Sequence, residues 1–262
     1  MPQSEPSEFS VADLAAQLRA LGVRAGDVLL VHSSYRAVRP VAGGPSGVIE
    51  ALRAALGSEG TLVMPSWTGS EDEAFDPATT PAAADLGVIP ETFRRQPGVL
   101  RSDHFQAFAA AGPHAEYVVA DPLPIPPHVP ESPVGRVYDL DGQVLLLGVG
   151  HDADTTVHLA EILAGVPYRV RRRGTVVRDG RPVRIEYDEN DHCCALFARM
   201  DGWLRERGLQ QEGPIGNATA RLVRSRDVVV VAREHLRRDP YVFLHPRGKC
   251  ADCDEAWAGI RV

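Results

Sequence analysis

Three short, unbroken apolar runs constrain this chain most: VLLV within GDVLLVHSS (26–34), LVM within GTLVMPSW (60–67), and VLLLGV (144–149). Runs of this length, bounded by glycine and turn residues, read as buried strands. VADLAAQLRALGV (11–23) precedes the first run with apolar residues at helical intervals and Gly22 as its stop. GVIEALRAALG (47–57) lies between the first and second runs with the same spacing. A strand, a helix and a further strand in that order imply a parallel pair joined by a right-handed crossover. LGVIPETFRR (86–95) predicts a short helix opening at Pro90, and FAAAG (108–112) a strand end. RVRRRGTVVRDGRPVRIEY (169–187) predicts a β-hairpin turned at Asp179-Gly180. HCCALFARMDGWLRERG (192–208) predicts a long amphipathic helix, and RDVVVVAREHLRRDP (226–240) a strand followed by a helix. DPLPIPPHVPESP (121–133) holds six prolines and suits neither a helix nor a central strand. It is either an interdomain linker or, as expected here, a stiff loop draped over the sheet and shaping a pocket wall. The expected fold is α/β, a mixed, largely parallel central sheet flanked by helices. It forms one domain over residues 1–262, with 166–225 as a substrate-binding subregion.

The 262 residues, 44% hydrophobic and 24% charged, are ordinary for a globular protein of one large or two small domains. No apolar run is long enough to cross a bilayer and MPQSEPSEFS (1–10) is polar, so a cytoplasmic protein without membrane contact is expected. A net charge of -7 argues against a nucleic-acid surface and favours a cationic partner. The four cysteines form two pairs, Cys193-Cys194 and Cys250-x-x-Cys253. They suit either a structural zinc, with His192 or His245 as further ligands, or a set of reduced thiols. Adjacent cysteines do not easily both reach one ion.

Two segments concentrate the chemistry: GVGHDADTTVHLAE (148–161) and IEYDENDHCC (185–194). The first puts His158 about one turn into a helix that starts at a strand tip, with Glu161 three residues on and facing the same way. Strand tips of open α/β sheets are where ligands bind, and a histidine there suits a general base near neutral pH. The plain alternative is a histidine that only packs or caps. Three tips converge in this reading, HSS (32–34), PSW (65–67) and GVGHD (148–152), and the first suits phosphate oxygens. No Walker sequence, G-x-G-x-x-G or G-x-S-x-G occurs, and the cysteines lack an evident activating context. Acids cluster at Glu71, Asp72 and Glu73, and again at Glu186, Asp188, Glu189 and Asp191. They are either solvated faces and helix caps or a site for a substrate with several ammonium groups. Arg171-Arg172-Arg173 would meet cofactor phosphates or lie on an exposed hairpin edge.

Colinear strings over nearly the whole chain carry a resemblance. They include LLVHSSYRAVRP, GTLVMPSWTG, LGVIPETFRR, VLRSDH, SPVGRVYDLDGQVLLLGVGHDADTTVHLAE, YDENDHCC and HPRGKCADCD. The chain resembles the aminoglycoside N-3-acetyltransferases, whose fold is unrelated to the GNAT type, and looks closest to their type IV branch. The resemblance implies acetyl transfer from acetyl-CoA to the 3-amino group of 2-deoxystreptamine aminoglycosides, conferring antibiotic resistance by direct attack without an acyl-enzyme. It makes His158 the base, Glu189 its partner carboxylate and Asp191 an acid near the reacting amine. Glu71, Asp72, Glu189 and Asp191 would bind the drug, and His32, Ser33, Ser34, Ser102 and His104 the cofactor. The chain departs from the pattern at Phe105, where proline is usual, and at Asp154, where asparagine is usual. The structural zinc is assigned here to Cys193, Cys194, Cys250 and Cys253, and the protein is expected to be a monomer or homodimer.

Three other readings are weighed. One keeps the fold and donor but acetylates a non-antibiotic amine metabolite. Another is a metal-dependent hydrolase using His151, Asp152 and His158, without the usual His-Glu-x-x-His spacing. The last binds aminoglycosides without turnover.

Overall fold

The computed structural model describes residues 8–68, 73–120 and 126–260. In chain order, α1 (Val11–Leu21) runs into β1 (Val28–Ser33), the single-turn α2 (Tyr35–Val38), α3 (Gly44–Leu56) and β2 (Thr61–Pro65). There follow β3 (Ala74–Phe75), α4 (Val88–Arg94), β4 (Leu100–Arg101), β5 (Phe108–Ala111), α5 (Ala115–Val119) and α6 (Pro133–Asp139). Next come β6 (Gln143–Leu147), α7 (Thr156–Ala164), β7 (Val170–Arg178) and β8 (Arg181–Glu189). The chain closes with α8 (Arg199–Glu206), β9 (Gln210–Ile215), β10 (Ala218–Arg224), α9 (Ser225–Arg238) and α10 (Ala251–Ala258).

The three apolar runs are the three central strands of a seven-stranded sheet ordered β4-β5-β2-β1-β6-β10-β9. β1 is parallel to both β2 and β6, as a strand–helix–strand order requires, and antiparallel strands extend the sheet on either side. The runs are unbroken because both faces are covered. Leu29 and Val31 of β1 pack with α1 and α3 residues such as Leu18 and Leu52. Val28 and Leu30 face the opposite layer, with Val157 and Ala160 of α7 and Val228 and Val231 of α9. Full burial of one such side chain stabilises by about 1.5–3 kcal/mol, so a polar residue on either face of β1 would be costly.

A smaller sheet, β3-β7-β8, stands apart from the first around Phe75, Phe105, Val176, Ile185 and Tyr187. Its hairpin turns at Asp179 and Gly180, which have φ of 49° and 71° and join the paired residues Arg178 and Arg181. Positive φ at both central residues matches the right-handed twist of the flanking strands, as the Asp-Gly pair predicts. Gly174 lies where the ring of Phe105 packs flat on β7: a Cβ there would come within 2.5 Å of it. Phe105 thus fills the small core.

Three elements differ from expectation. Residues 192–194 are not helical. A 3₁₀ turn spans Ala195–Ala198, and the α-helix begins only at Arg199. The reason is tertiary, since His192, Cys193 and Cys194 each reach a different distant partner and Cys194 has φ 58°. The valines of 226–240 form helix throughout, not a strand. Val228, Val229, Val231 and Ala232 then share one buried face against α7, and that packing overrides β-branched propensity. α4 also opens at Val88, ahead of Pro90. No helix among the described residues is long and apolar enough to cross a membrane.

Candidate active site

β1, β2 and β6 are neighbours, so the chain leaving their carboxyl ends gathers in one place. His32, Ser33, Pro65, Trp67 and residues 152–155 wall a cavity of about 400 Å³ there. The remaining walls come from the proline-rich segment through His128 and from the β8 exit through Glu189, Asn190 and Asp191. Residues 121–125 of the proline segment lie outside the described residues.

His158, in the first turn of α7, reaches the cavity wall, and its ring is bonded through both nitrogens. Nδ1 lies 2.9 Å from Oε2 of Glu161, one helical turn on, and Nε2 lies 3.1 Å from Sγ of Cys194. Glu161 is fully buried, yet its carboxylate is completely satisfied. His192 Nε2 lies 2.8 Å from Oε1, Tyr168 donates to Oε1 at 2.6 Å, and Asn190 donates to Oε2 at 2.8 Å. Burial would raise the pKa of Glu161, but the two imidazoles and their hydrogen bonds hold it well below the usual carboxylate range. For His158, burial opposes a charged ring, but the Cys194 sulfur and the Glu161 carboxylate outweigh it and raise its pKa well above the ordinary value. With Glu161 ionised, the proton on the Glu161 side sits on Nδ1, and Nε2 is the basic nitrogen. His128 stacks on the His158 ring at 4.8 Å between centroids, and Phe197 meets it edge-on at 4.8 Å. Burial first, and then the neighbouring His158, keep His128 far below the ordinary imidazole pKa and therefore neutral.

The partner carboxylate of His158 is Glu161, not Glu189. An i, i+3 pair on one helical face meets directly. Glu189, at the end of β8, instead lines the cavity with one oxygen 3.9 Å from Arg172. Asp191 also lines the cavity, gripped by Arg172 at 2.6 and 2.8 Å, and that guanidinium turns as well to Glu255 of α10. Arg172 therefore orders the acidic wall, while exposed Arg171 pairs with Glu186 and Asp188 on the hairpin. Glu71 and Asp72 lie outside the described residues.

Of the residues expected at the cofactor, His32 and Ser33 line the cavity. His32 lies 3.3 Å from the hydroxyl of Thr155, and burial chiefly pushes its pKa down to about 4. Ser33 Oγ is buried and has no hydrogen-bond partner. Ser34 starts the α2 turn, with its backbone N–H on Leu147. Ser102 and His104 do not line the cavity. Ser102 Oγ accepts from Phe108 N, and His104 Nδ1 accepts from Gln106 N while its ring stacks on Phe105, so both order the β4–β5 corner. Asp154 accepts from Thr156 N at 2.9 Å and lies 3.0 Å from His151, both contacts within the turn that leads into α7. His151 is buried with its other nitrogen 2.8 Å from Gln210, so it has no nitrogen left to share a metal with His158.

Sequence reasoning missed two residues of the cavity and assigned a third, Cys194, to the zinc set instead. His128 sat in a proline loop with no periodicity to mark it. Asp85 lines the cavity from a 3₁₀ turn. Cys194 had no local activating signal, because its imidazole comes from 36 residues away. The four cysteines do not share one position either: Cys193, Cys250 and Cys253 gather with His245, and Cys194 turns the other way.

The fold is thus a mixed seven-stranded sheet with a histidine–carboxylate pair and an acid-lined cavity at its strand tips, the arrangement of an α/β enzyme. A family model described as aminoglycoside 3-N-acetyltransferase matches residues 30–237. Aminoglycoside N(3)-acetyltransferase IV of Salmonella sp is 63% identical over 239 residues, 91% of this chain and 92% of that one. A crystal structure of a histidine-to-alanine mutant of aminoglycoside acetyltransferase AAC(3)-IVa in complex with a gentamicin superposes with a TM-score of 0.94. It shares 60% identity and covers 98% of this chain and 100% of that one. The corresponding complex with apramycin gives a TM-score of 0.88 at 58% identity, covering 95% and 100%. The chain belongs to the aminoglycoside 3-N-acetyltransferase family and is an acyltransferase with that family's fold, not the GNAT fold.

Proposed function

We propose that the cavity receives the 2-deoxystreptamine ring of an aminoglycoside, of the gentamicin or apramycin kind, with its 3-amino group at Nε2 of His158 and acetyl-CoA as donor. One observation carries this reading. Among the described residues the cavity is lined by Asp85, Asp152, Asp154, Glu189 and Asp191 and by no lysine or arginine. Such a wall attracts a substrate with several ammonium groups and concentrates it at the site. It also keeps those amines protonated, and a protonated amine cannot attack a thioester. His158 resolves the conflict at a single nitrogen. Nε2 takes a proton from the 3-ammonium while Glu161 stabilises the imidazolium that forms. The freed amine attacks the thioester carbon, the C–N bond forms and the C–S bond breaks. The imidazolium proton goes to the departing CoA thiolate, and the attacking nitrogen, which still carries two protons, passes one to the freed Nε2 and from there to solvent, leaving a neutral amide, the CoA thiol and one released proton.

Holding amine and thioester together supplies much of the acceleration, since effective molarities reach on the order of 10⁵ M in favourable cases. Ser33 Oγ, unpartnered at the cavity wall, is the proposed donor to the carbonyl oxygen as it becomes negative. The subregion 166–225 is proposed to hold the drug, through Glu189, Asn190, Asp191 and Phe197.

Cys194 supports a second reading. A thiol 3.1 Å from a histidine that is itself held by a buried carboxylate is the array of an activated nucleophile, and an acetyl-cysteine intermediate would follow. Initial-rate kinetics separate the two: intersecting double-reciprocal lines and turnover in Cys194→Ser support direct attack, whereas parallel lines and an inactive variant support the intermediate.

The overall reading is tested by release of free CoA thiol from acetyl-CoA with gentamicin, tobramycin and apramycin. Turnover that is lost in folded His158→Ala is the expected result. No turnover with any of the three, together with acetylation of simpler amines, would transfer the chemistry to a non-antibiotic metabolite.

A further inference from the structure

The segment 192–194 sends three successive side chains in three directions. His192 goes to Glu161, Cys194 to His158, and Cys193 away from the cavity. There Cys193 meets His245 and the C-x-x-C pair that opens α10. The three sulfurs of Cys193, Cys250 and Cys253 and a ring nitrogen of His245 all lie within 4.8 Å of one another. Cys193 Sγ is 3.3 Å from His245 Nδ1 and 3.6 Å from Cys253 Sγ, and Cys253 Sγ is 3.5 Å from His245 Nδ1.

Those three spacings match one face of a ligand tetrahedron, and Cys250 Sγ lies within reach as the fourth corner. With Zn–S near 2.3 Å and Zn–N near 2.0–2.1 Å, ligand atoms stand about 3.8 Å apart for two sulfurs and about 3.6 Å for sulfur and nitrogen. A disulfide does not account for the cluster, because bonded sulfurs lie about 2.05 Å apart and the third thiol would be left over. Three thiols and an imidazole also satisfy one another poorly by hydrogen bonding, since thiols are weak donors and weak acceptors. The surroundings are those of a ligand set. His245 N–H points at Cys253 Sγ at 3.4 Å, and Trp257 Nε1 fixes the His245 carbonyl at 2.7 Å. Such outer contacts orient metal-bound groups.

We infer that Cys193, His245, Cys250 and Cys253 bind one Zn²⁺ in a closed tetrahedral site that clamps α10 and the His245 segment onto the loop carrying His192 and Cys194. All four positions are filled by protein, so the ion takes no substrate and its role is to hold the scaffold. Cys194 is outside the set, because its sulfur is committed to His158. The site stands independently of what the cavity acetylates.

The experiment is metal analysis of the full-length protein purified without chelator, with Co²⁺ substitution as the spectroscopic probe. One zinc per chain is expected, along with intense thiolate-to-cobalt charge transfer and the visible bands of tetrahedral cobalt. Cys194→Ser should keep the full zinc content, while Cys250→Ser and His245→Ala lose most of it. If Cys250→Ser does not fold, the cobalt spectrum of the unaltered protein still decides the matter. Absence of bound zinc from protein produced with zinc supplied would overturn the assignment, as would an octahedral cobalt spectrum without thiolate bands. Loss of zinc in folded Cys194→Ser would overturn the ligand set.

Discussion

His158 and Glu161 are joined at 2.9 Å along one face of α7, and the same carboxylate is held by His192, Tyr168 and Asn190. The pair is therefore rigid and electrically coupled: the ionised acid holds the proton on Nδ1 and makes Nε2, the nitrogen that faces Cys194, more basic.

Glu161→Gln tests the coupling. His158 must be neutral to accept a proton, so its raised pKa places the acid limb of the kcat/KM profile above the ordinary histidine value near 6.5. Removing the carboxylate charge should move that limb to lower pH and reduce kcat. The change also disturbs a buried, fully bonded group, so a stability loss of about 1–3 kcal/mol should appear in denaturant unfolding. An unmoved pH limb in a folded variant would uncouple the two residues.

Asp191→Asn and Glu189→Gln test the acidic wall. Each should raise KM for a polycationic drug more than it lowers kcat, by roughly tenfold where a charge-assisted contact worth about 1.5 kcal/mol is lost. The effect should shrink as ionic strength rises. Because Arg172 holds Asp191, Arg172→Met should imitate the Asp191 variant in KM through disorder of that wall.

His128→Ala tests the stacked ring. His128 is neutral and buried against His158, so it supplies a flat surface and excludes water but carries no charge. Loss of the ring should lower kcat, and His128→Phe, which restores a stacking face, should recover much of it. Equal loss in both variants would mean that a ring nitrogen, not the face, is used.

His32 predicts a pH dependence of stability. Its folded pKa is pushed down to about 4 by burial, against about 6.5 in an unfolded chain. Between those values the unfolded state binds more protons, so stability is full above about pH 6.5 and falls as pH drops toward 4. The separation corresponds to on the order of 3 kcal/mol. Denaturant midpoints measured across this window should decline with acidification, and His32→Gln should flatten that slope.

Much of the scaffold was legible because local physics decides it. The alternating commitment of Leu29 and Leu30 to two different cores shows in the sequence as an unbroken apolar run. The Asp179-Gly180 turn is written in the two residues that best accept positive φ. His158 with Glu161 was legible for the same reason, since a spacing of three on a helix is a contact that needs no other part of the chain.

Long-range contacts were beyond that reach. Valines 228–231 carry strand propensity, and only the presence of α7 beside them makes a helix the better burial. HCCALF looks helical until His192, Cys193 and Cys194 are each bound elsewhere. Cys194 meets an imidazole 36 residues earlier in the chain, and Cys193 meets sulfur 60 residues later. The sequence alone determined the central strands, the hairpin and the helix that carries His158 and Glu161, because those follow from periodicity and capping. Only the tertiary structure decided where Asp191 is tied, where Cys194 turns and which cysteines gather, because contact between distant residues depends on how the layers pack.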